Sequence, residues 1–205
     1  MSKLIGGKEA LVYGIGVNDF NGSISIRGKH IQEYKLWKAM LRRCYSRESI
    51  SNRPTYSECF VDDELLSFNN FYNFVRNLVG FNCIDGNGNA FHRDKDILGN
   101  GSRYGYDTIS FIPQEVNAFK TNIKSKNTGY PAGVLFHKAS GKLISQITIN
   151  SKRKYLGLFD NPYDAFNAYK FEKEKQAKVL AEKYKSVIDN RVYEALNSYE
   201  VNIDD

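Results

Sequence analysis

The sequence predicts an α+β protein in two parts, and three observations carry that prediction. Apolar residues recur at helical spacing in two early stretches, Ile31 to Tyr45 and Asp62 to Gly80. Short β-favouring runs bounded by turn residues fill the interval from Gly133 to Phe159. Between these regions the chain turns polar and basic at IKSKNTGYP, directly after Asn122, which divides it into residues 1–123 and 124–205.

Taken in order, Glu9 to Val17 mixes β-favouring residues with glycines and Ser23 to Arg27 alternates, with Asn18, Asp19, Asn21 and Gly22 as a turn. A small hairpin is expected there. The helix over Ile31 to Tyr45 places Ile31, Tyr34, Trp37, Leu41 and Tyr45 on one side, with Lys35, Lys38, Arg42 and Arg43 largely between them. Arg42, Arg43, Arg47 and Arg53 form a basic cluster that offers a face to phosphate; a solvated charged face would look the same. The next helix carries Leu65, Leu66, Phe68, Phe71, Tyr72, Phe74, Val75 and Leu78, capped by Asp62 or Asp63 and stopped at Gly80. So many apolar and aromatic residues at helical spacing mark core. The following FNCIDGNGNAF reads as a loop, and no Lys-Ser or Lys-Thr follows its glycines as a phosphate-binding loop would need.

His92 to Asn117 organises the first part as a strand, a Gly-rich tip at Gly99 to Ser102, a returning strand at Thr108 to Phe111 and a helix with Pro113 as its first residue. In an extended chain His92, Asp94 and Asp96 line one side while Arg93 and Lys95 point away, as a metal-binding row would. The plainer alternative is a hairpin whose acids satisfy turn amides. In the second part, strands over 133–136, 143–150 and 153–159 precede a helix that starts at Asn161-Pro162, and a final short helix spans 189–199.

Charge limits the partners. Lys and Arg number 29 against 23 Asp and Glu, a net charge of +6, which favours a polyanion. No run approaches 18 apolar residues and the amino terminus lacks a signal-peptide core, so neither a membrane nor secretion is indicated, and a cytoplasmic protein is expected. Nothing points to a protein partner. Cys44, Cys59 and Cys83 are too scattered for a disulfide framework or a zinc site, and read as reduced and structural.

The order DKD, Gly-rich turn, Tyr, Phe-x-Pro and Asn in His92 to Asn117 resembles the ββα-metal core of phage-type HNH homing endonucleases. Trp37-x-x-Met40-x-x-Arg43-Cys44-Tyr45 followed by Pro54-Thr55-Tyr56 is similar to a motif that precedes such cores. The resemblance implies one divalent cation, magnesium or manganese, held by Asp94 and Asn117, with His92 and Asp96 completing a catalytic set. Lys95 stands where many such enzymes place a general-base His, and Thr108 where a middle Asn is frequent. The residues YPAGV, SGKLISQI and KRKYLGLFDNPYDAFNAYK resemble the Apetala-type (ethylene-response-factor) DNA-binding domain, whose members lay a three-stranded sheet into the major groove. That resemblance implies His137, Gln146, Thr148, Arg153 and Tyr155 as groove-side residues, flanked by Lys138, Lys142, Lys152 and Lys154. Plant-type members have Arg at the positions of Leu135 and Thr148, so fewer bidentate guanine contacts are expected.

Together these readings imply a metal-dependent endonuclease or nickase acting on double-stranded DNA, in the cytoplasm of an infected bacterium if the chain is phage-encoded. The alternative is a catalytically inactive DNA-binding protein on the same fold, acting as a repressor, a counter-defence factor or a competitor for a site; Lys95 and Thr108 favour it. An RNA-binding role lacks any aromatic strand motif to support it.

Overall fold

A computed structural model describes residues 11–99, 101–121 and 129–204. The chain packs as two units, one made of the residues up to Cys83 together with Arg93–Phe111, the other of Ile84–His92 and the residues from Ile112 onward.

In the first unit β1 (Ser25–Ile26) and β2 (Lys29–His30) form a hairpin. Its turn, Arg27-Gly28, has φ of 51° and 77°, the positive pair that suits the twist of a two-residue hairpin. Among the described residues, 11–17 do not pair with this hairpin as expected. Val12 instead turns back on Gly16 and Val17 bridges to Ser67, while Glu9 and Ala10 lie outside the described residues. Helix α1 (Gln32–Tyr45) buries Tyr34, Trp37, Met40, Leu41 and Cys44, and the Trp37 indole donates to the Leu65 carbonyl at 2.9 Å. A short α2 (Arg47–Asn52) follows, then β3 (Phe60–Val61).

The single helix expected from Asp62 to Gly80 is broken. A 3-10 turn over Asp63–Leu66 ends at Ser67, and α3 runs only over Phe68–Arg76. Ser67 caps α3 by accepting from the Asn70 amide at 3.1 Å and donates to Asp19 at 2.7 Å. Asp19 also accepts from the Asn69 amide, so the carboxylate at this helix start comes from far away in sequence rather than from Asp62 or Asp63. Burial alone would raise the Asp19 pKa, yet these donors hold it below the ordinary carboxylate value.

The organising stretch forms β4 (His92–Asp94), β5 (Arg103–Tyr104) and β6 (Ser110–Ile112), followed by α4 (Gln114–Thr121). β4 pairs with β6, and β5 runs parallel to β3. β4 and β6 pair ahead of a helix as expected, but the chain between them is more than a Gly-rich tip, since it sends β5 to pair with β3, and Thr108 lies in the turn before β6 rather than in the strand.

In the second unit β7 (Val134–His137), β8 (Lys142–Ile149) and β9 (Lys152–Phe159) make an antiparallel sheet in the order β7-β8-β9. Helix α5 (Pro162–Tyr184) starts with Asn161 accepting from the Asp164 amide at 2.9 Å and Pro162 in its first turn, and α6 (Asn190–Asn197) ends the fold. Val134, Leu143 and Ile147 from the sheet close a core with Ala165, Phe166 and Tyr169 of α5. Residues 122–128, which include the expected boundary at 123/124, lie outside the described residues; α4 packs in the second unit. Among the described residues no helix is long and apolar enough to cross a membrane.

One core position of α5 is charged. Lys173 is 2% exposed, donates to the Phe119 carbonyl at 2.6 Å and lies 3.8 Å from the centre of the Phe119 ring. Burial, with Lys120 nearby, pulls its pKa down to about 8. The folded chain therefore sheds this proton near pH 8 while the unfolded chain keeps it until about pH 10.4, so the unfolded state binds more protons in that window and stability rises with pH. Urea titrations of wild type and Lys173→Met should diverge, with wild type gaining about 2 kcal/mol relative to the variant between pH 8 and 9.5. At neutral pH the variant is expected to be at least as stable, because a buried charge is often replaced by an apolar side chain at no loss.

Candidate nucleic-acid interface

The sheet of the second unit has one face against α5 and one face open, and register decides which residues stand on each. Paired residues of antiparallel strands share a face. Val134 pairs with Ser145, Ser145 with Gly157 and Ile147 with Lys154, which places these on the helix side. His137 pairs with Lys142, Gln146 with Tyr155 and Thr148 with Arg153, which places all six on the open side. The five groove-side positions named from the sequence therefore do share one face. Tyr155 is 59% exposed, and Thr148, Arg153 and Lys142 are exposed beside it.

The flanking lysines divide. Lys142 stays on the open face and pairs with Asp160 at 2.9 Å, and Lys138 lies exposed in the β7–β8 turn. Lys154 points the other way, donating to Glu172 of α5 at 2.6 Å, and Lys152 shares its side of the sheet at the exposed strand end. Strand alternation puts Lys152 and Lys154 on the side of the sheet opposite Arg153.

The organising stretch behaves differently from an extended row. β4 ends at Asp94, whose Oδ2 accepts from the amides of Asp96 at 2.9 Å and Ile97 at 2.7 Å. Asp96 is thus carried out of the row by a turn, and Lys95 is buried and donates to Asp96 at 2.6 Å and to the Gly101 carbonyl. Burial works against the Lys95 charge, but Asp96 outweighs it and raises the pKa. A lysine held as ammonium has no lone pair with which to take a proton, so the position cannot act as a general base. Thr108 ties the turn before β6, accepting from the Gly105 amide at 2.9 Å and donating to the Arg103 carbonyl at 3.0 Å.

Within the second unit His92 and Asn117 do meet. The Asn117 carboxamide nitrogen lies 3.3 Å from the His92 Nδ1, and the imidazole is exposed. Asp94 belongs to the first unit and Asn117 to the second. Among the described residues no three His, Cys, Asp or Glu side chains gather as metal ligands, and one Asp94 oxygen accepts two amides.

The basic cluster of α1 is split by a contact the sequence does not advertise. Arg43 turns inward and donates to the Tyr104 hydroxyl at 3.1 Å. Arg93 lies over the same ring at 5.2 Å from its centre and Lys95 at 5.4 Å, so three cations surround one phenol. Arg93 also donates to the Leu36 carbonyl, and its burial draws its pKa down to about 10. Arg42 is exposed and pairs with Glu48 at 3.5 Å; Arg47 and Arg53 are exposed as well. The exposed part of that cluster is therefore Arg42, Arg47 and Arg53, without Arg43.

The second unit also holds a cavity of about 540 Å³ lined by Asp85, Gln114, Glu115, Asn150, Gln176 and Tyr184 among others. Glu115 accepts from Tyr184 at 2.7 Å and from Lys183 at 2.5 Å. Its lining comes from four separate stretches, so no local spacing could have disclosed it. In comparison with known proteins, the chain matches no protein-family model, no curated protein and no solved structure.

Proposed function

We propose that this protein binds double-stranded DNA, with the open face of β7-β8-β9 as its reader of the major groove. The observation that carries the reading is the register that sets His137, Gln146, Thr148, Arg153 and Tyr155 on the one face that α5 does not cover. β8 and β9 are eight residues each, a ribbon about 25 Å long at strand rise, and a two-stranded ribbon is a shape the major groove admits. Arg153 and Gln146 supply base-edge donors, Tyr155 and Thr148 supply contact area, and Arg42, Arg47 and Arg53 offer phosphate contacts on the first unit.

The test is a gel-shift or anisotropy titration of the full chain on a selected duplex and on random duplex, over a range of salt. Affinity should fall linearly in log-log form as salt rises. Arg153→Ala should weaken binding to the selected site by about 1–3 kcal/mol and affect random duplex less, whereas Lys154→Ala should leave both within about twofold because its ammonium is engaged with Glu172. Failure of the full chain to shift any duplex at low salt would end this reading.

A second reading, phosphodiester hydrolysis by a phage-type HNH endonuclease or nickase, is favoured by the exposed His92 beside Asn117. Against it stand the fixed ammonium of Lys95 and the amide-bound carboxylate of Asp94. Supercoiled plasmid incubated with magnesium or manganese decides. Nicking that is lost in both His92→Ala and Asp94→Ala would establish the enzyme, and intact plasmid over a large protein excess leaves the binding function by itself.

A further inference from the structure

Leu135, Ile144 and Leu158 stand abreast on the open face of the sheet. Ile144 pairs with Leu135 on one side and with Leu158 on the other, so one aliphatic row crosses all three strands. Leu158 is 41% exposed and the other two are half-buried. The row separates His137 and Lys142 from Gln146, Tyr155, Thr148 and Arg153. No strand position on this face carries a carboxylate.

That pattern narrows the occupant. The face carries Arg153 and a Lys142 that pairs with Asp160 at 2.9 Å beyond the strand end, with no carboxylate at a strand position, which suits a polyanion, and an aliphatic row within it gains only where its partner also presents an apolar group. In the major groove the apolar group on offer is the C5-methyl of thymine. Side chains two apart along a strand are about 7 Å apart, close to two base-pair steps, so the row falls between the bases reached by Lys142 and those reached by Gln146 and Tyr155.

We propose that Leu135, Ile144 and Leu158 read thymine methyl groups, so that the preferred duplex is A·T-containing at the step beneath the row. This rests on the DNA-binding reading above. It makes specificity here a matter of shape and water exclusion.

The experiment uses the full chain and two duplexes of one alternating A·T sequence at matched salt, one with thymine and one with deoxyuridine, which lacks only the methyl. Removing a buried methyl is worth about fourfold in affinity, so one or two contacts predict a loss of roughly four- to fifteenfold on the uracil duplex. Leu158→Ala, at an exposed position that should not disturb folding, should weaken binding to the thymine duplex and leave the uracil duplex unchanged; Leu135→Ala should do the same once circular dichroism shows it folded. Equal affinity for the two duplexes, or a thymine preference that survives both substitutions, would overturn the proposal while leaving DNA binding intact. Binding to neither duplex would remove the underlying reading as well.

Discussion

Gly133→Ala is expected to destabilise the second unit by about 2–5 kcal/mol, adding a left-handed backbone penalty to an overpacked core. Gly133 has φ of +77°, where an L side chain costs about 1–2 kcal/mol. A Cβ there would lie 2.1 Å from Cδ2 and 2.3 Å from Cγ of Tyr169. Tyr169 is 3% exposed within the sheet–helix core, so its ring has nowhere to swing. Urea denaturation followed by far-UV circular dichroism measures the loss. Gly133→Ala combined with Tyr169→Leu should recover part of it, because the smaller side chain relieves the clash and leaves the backbone term; no recovery would mean that the ring is not the obstacle.

Trp37→Ala should cost the first unit about 3–5 kcal/mol from the void it leaves, with a further penalty of about 1–3 kcal/mol for the Leu65 carbonyl that loses its donor. Trp37 is fully buried, in ring contact with Tyr34 and Phe68. Trp37→Phe separates the two terms, keeping most of the ring contact while removing the N–H. Because Trp37 is the one tryptophan of the chain, its fluorescence reports the first unit selectively in the wild type, and hydrogen exchange can follow the variants. A Trp37→Ala protein with unchanged urea midpoint would show that this cluster is not the centre of the unit's stability.

Much of the second unit was legible because its signals are local. Asn161-Pro162 marks the helix start, and the period of two in Leu143 to Ile149 sorts its faces before any partner is known. That same alternation already separates Lys154 from Arg153, and only the breadth of the basic stretch made them look like one surface. The first unit was less legible because its decisive contacts are distant in sequence. Ser67 breaks a helix whose apolar spacing runs on unbroken, and the residue that joins it there is Asp19. Arg43 looks like its exposed neighbour Arg42 until Tyr104 is brought to it from a strand 61 positions away. Asp96 left its expected row because alternation holds only while the strand lasts, and Asp94 ends the strand by taking two amides of the next turn.

The chain passes between its packing units at 83/84, again at 92/93 and again at 111/112. A polypeptide threaded in this way does not divide into cassettes. Cutting it at 111/112 leaves Ile84–His92 behind without the rest of its unit, and a fragment beginning at residue 112 lacks that segment. During synthesis every residue of the early unit has been made by position 111, whereas 84–92 waits for the residues from 112 onward before its own unit is complete. A later half moved into another gene would lack 84–92, and the earlier half would carry 84–92 parted from its unit.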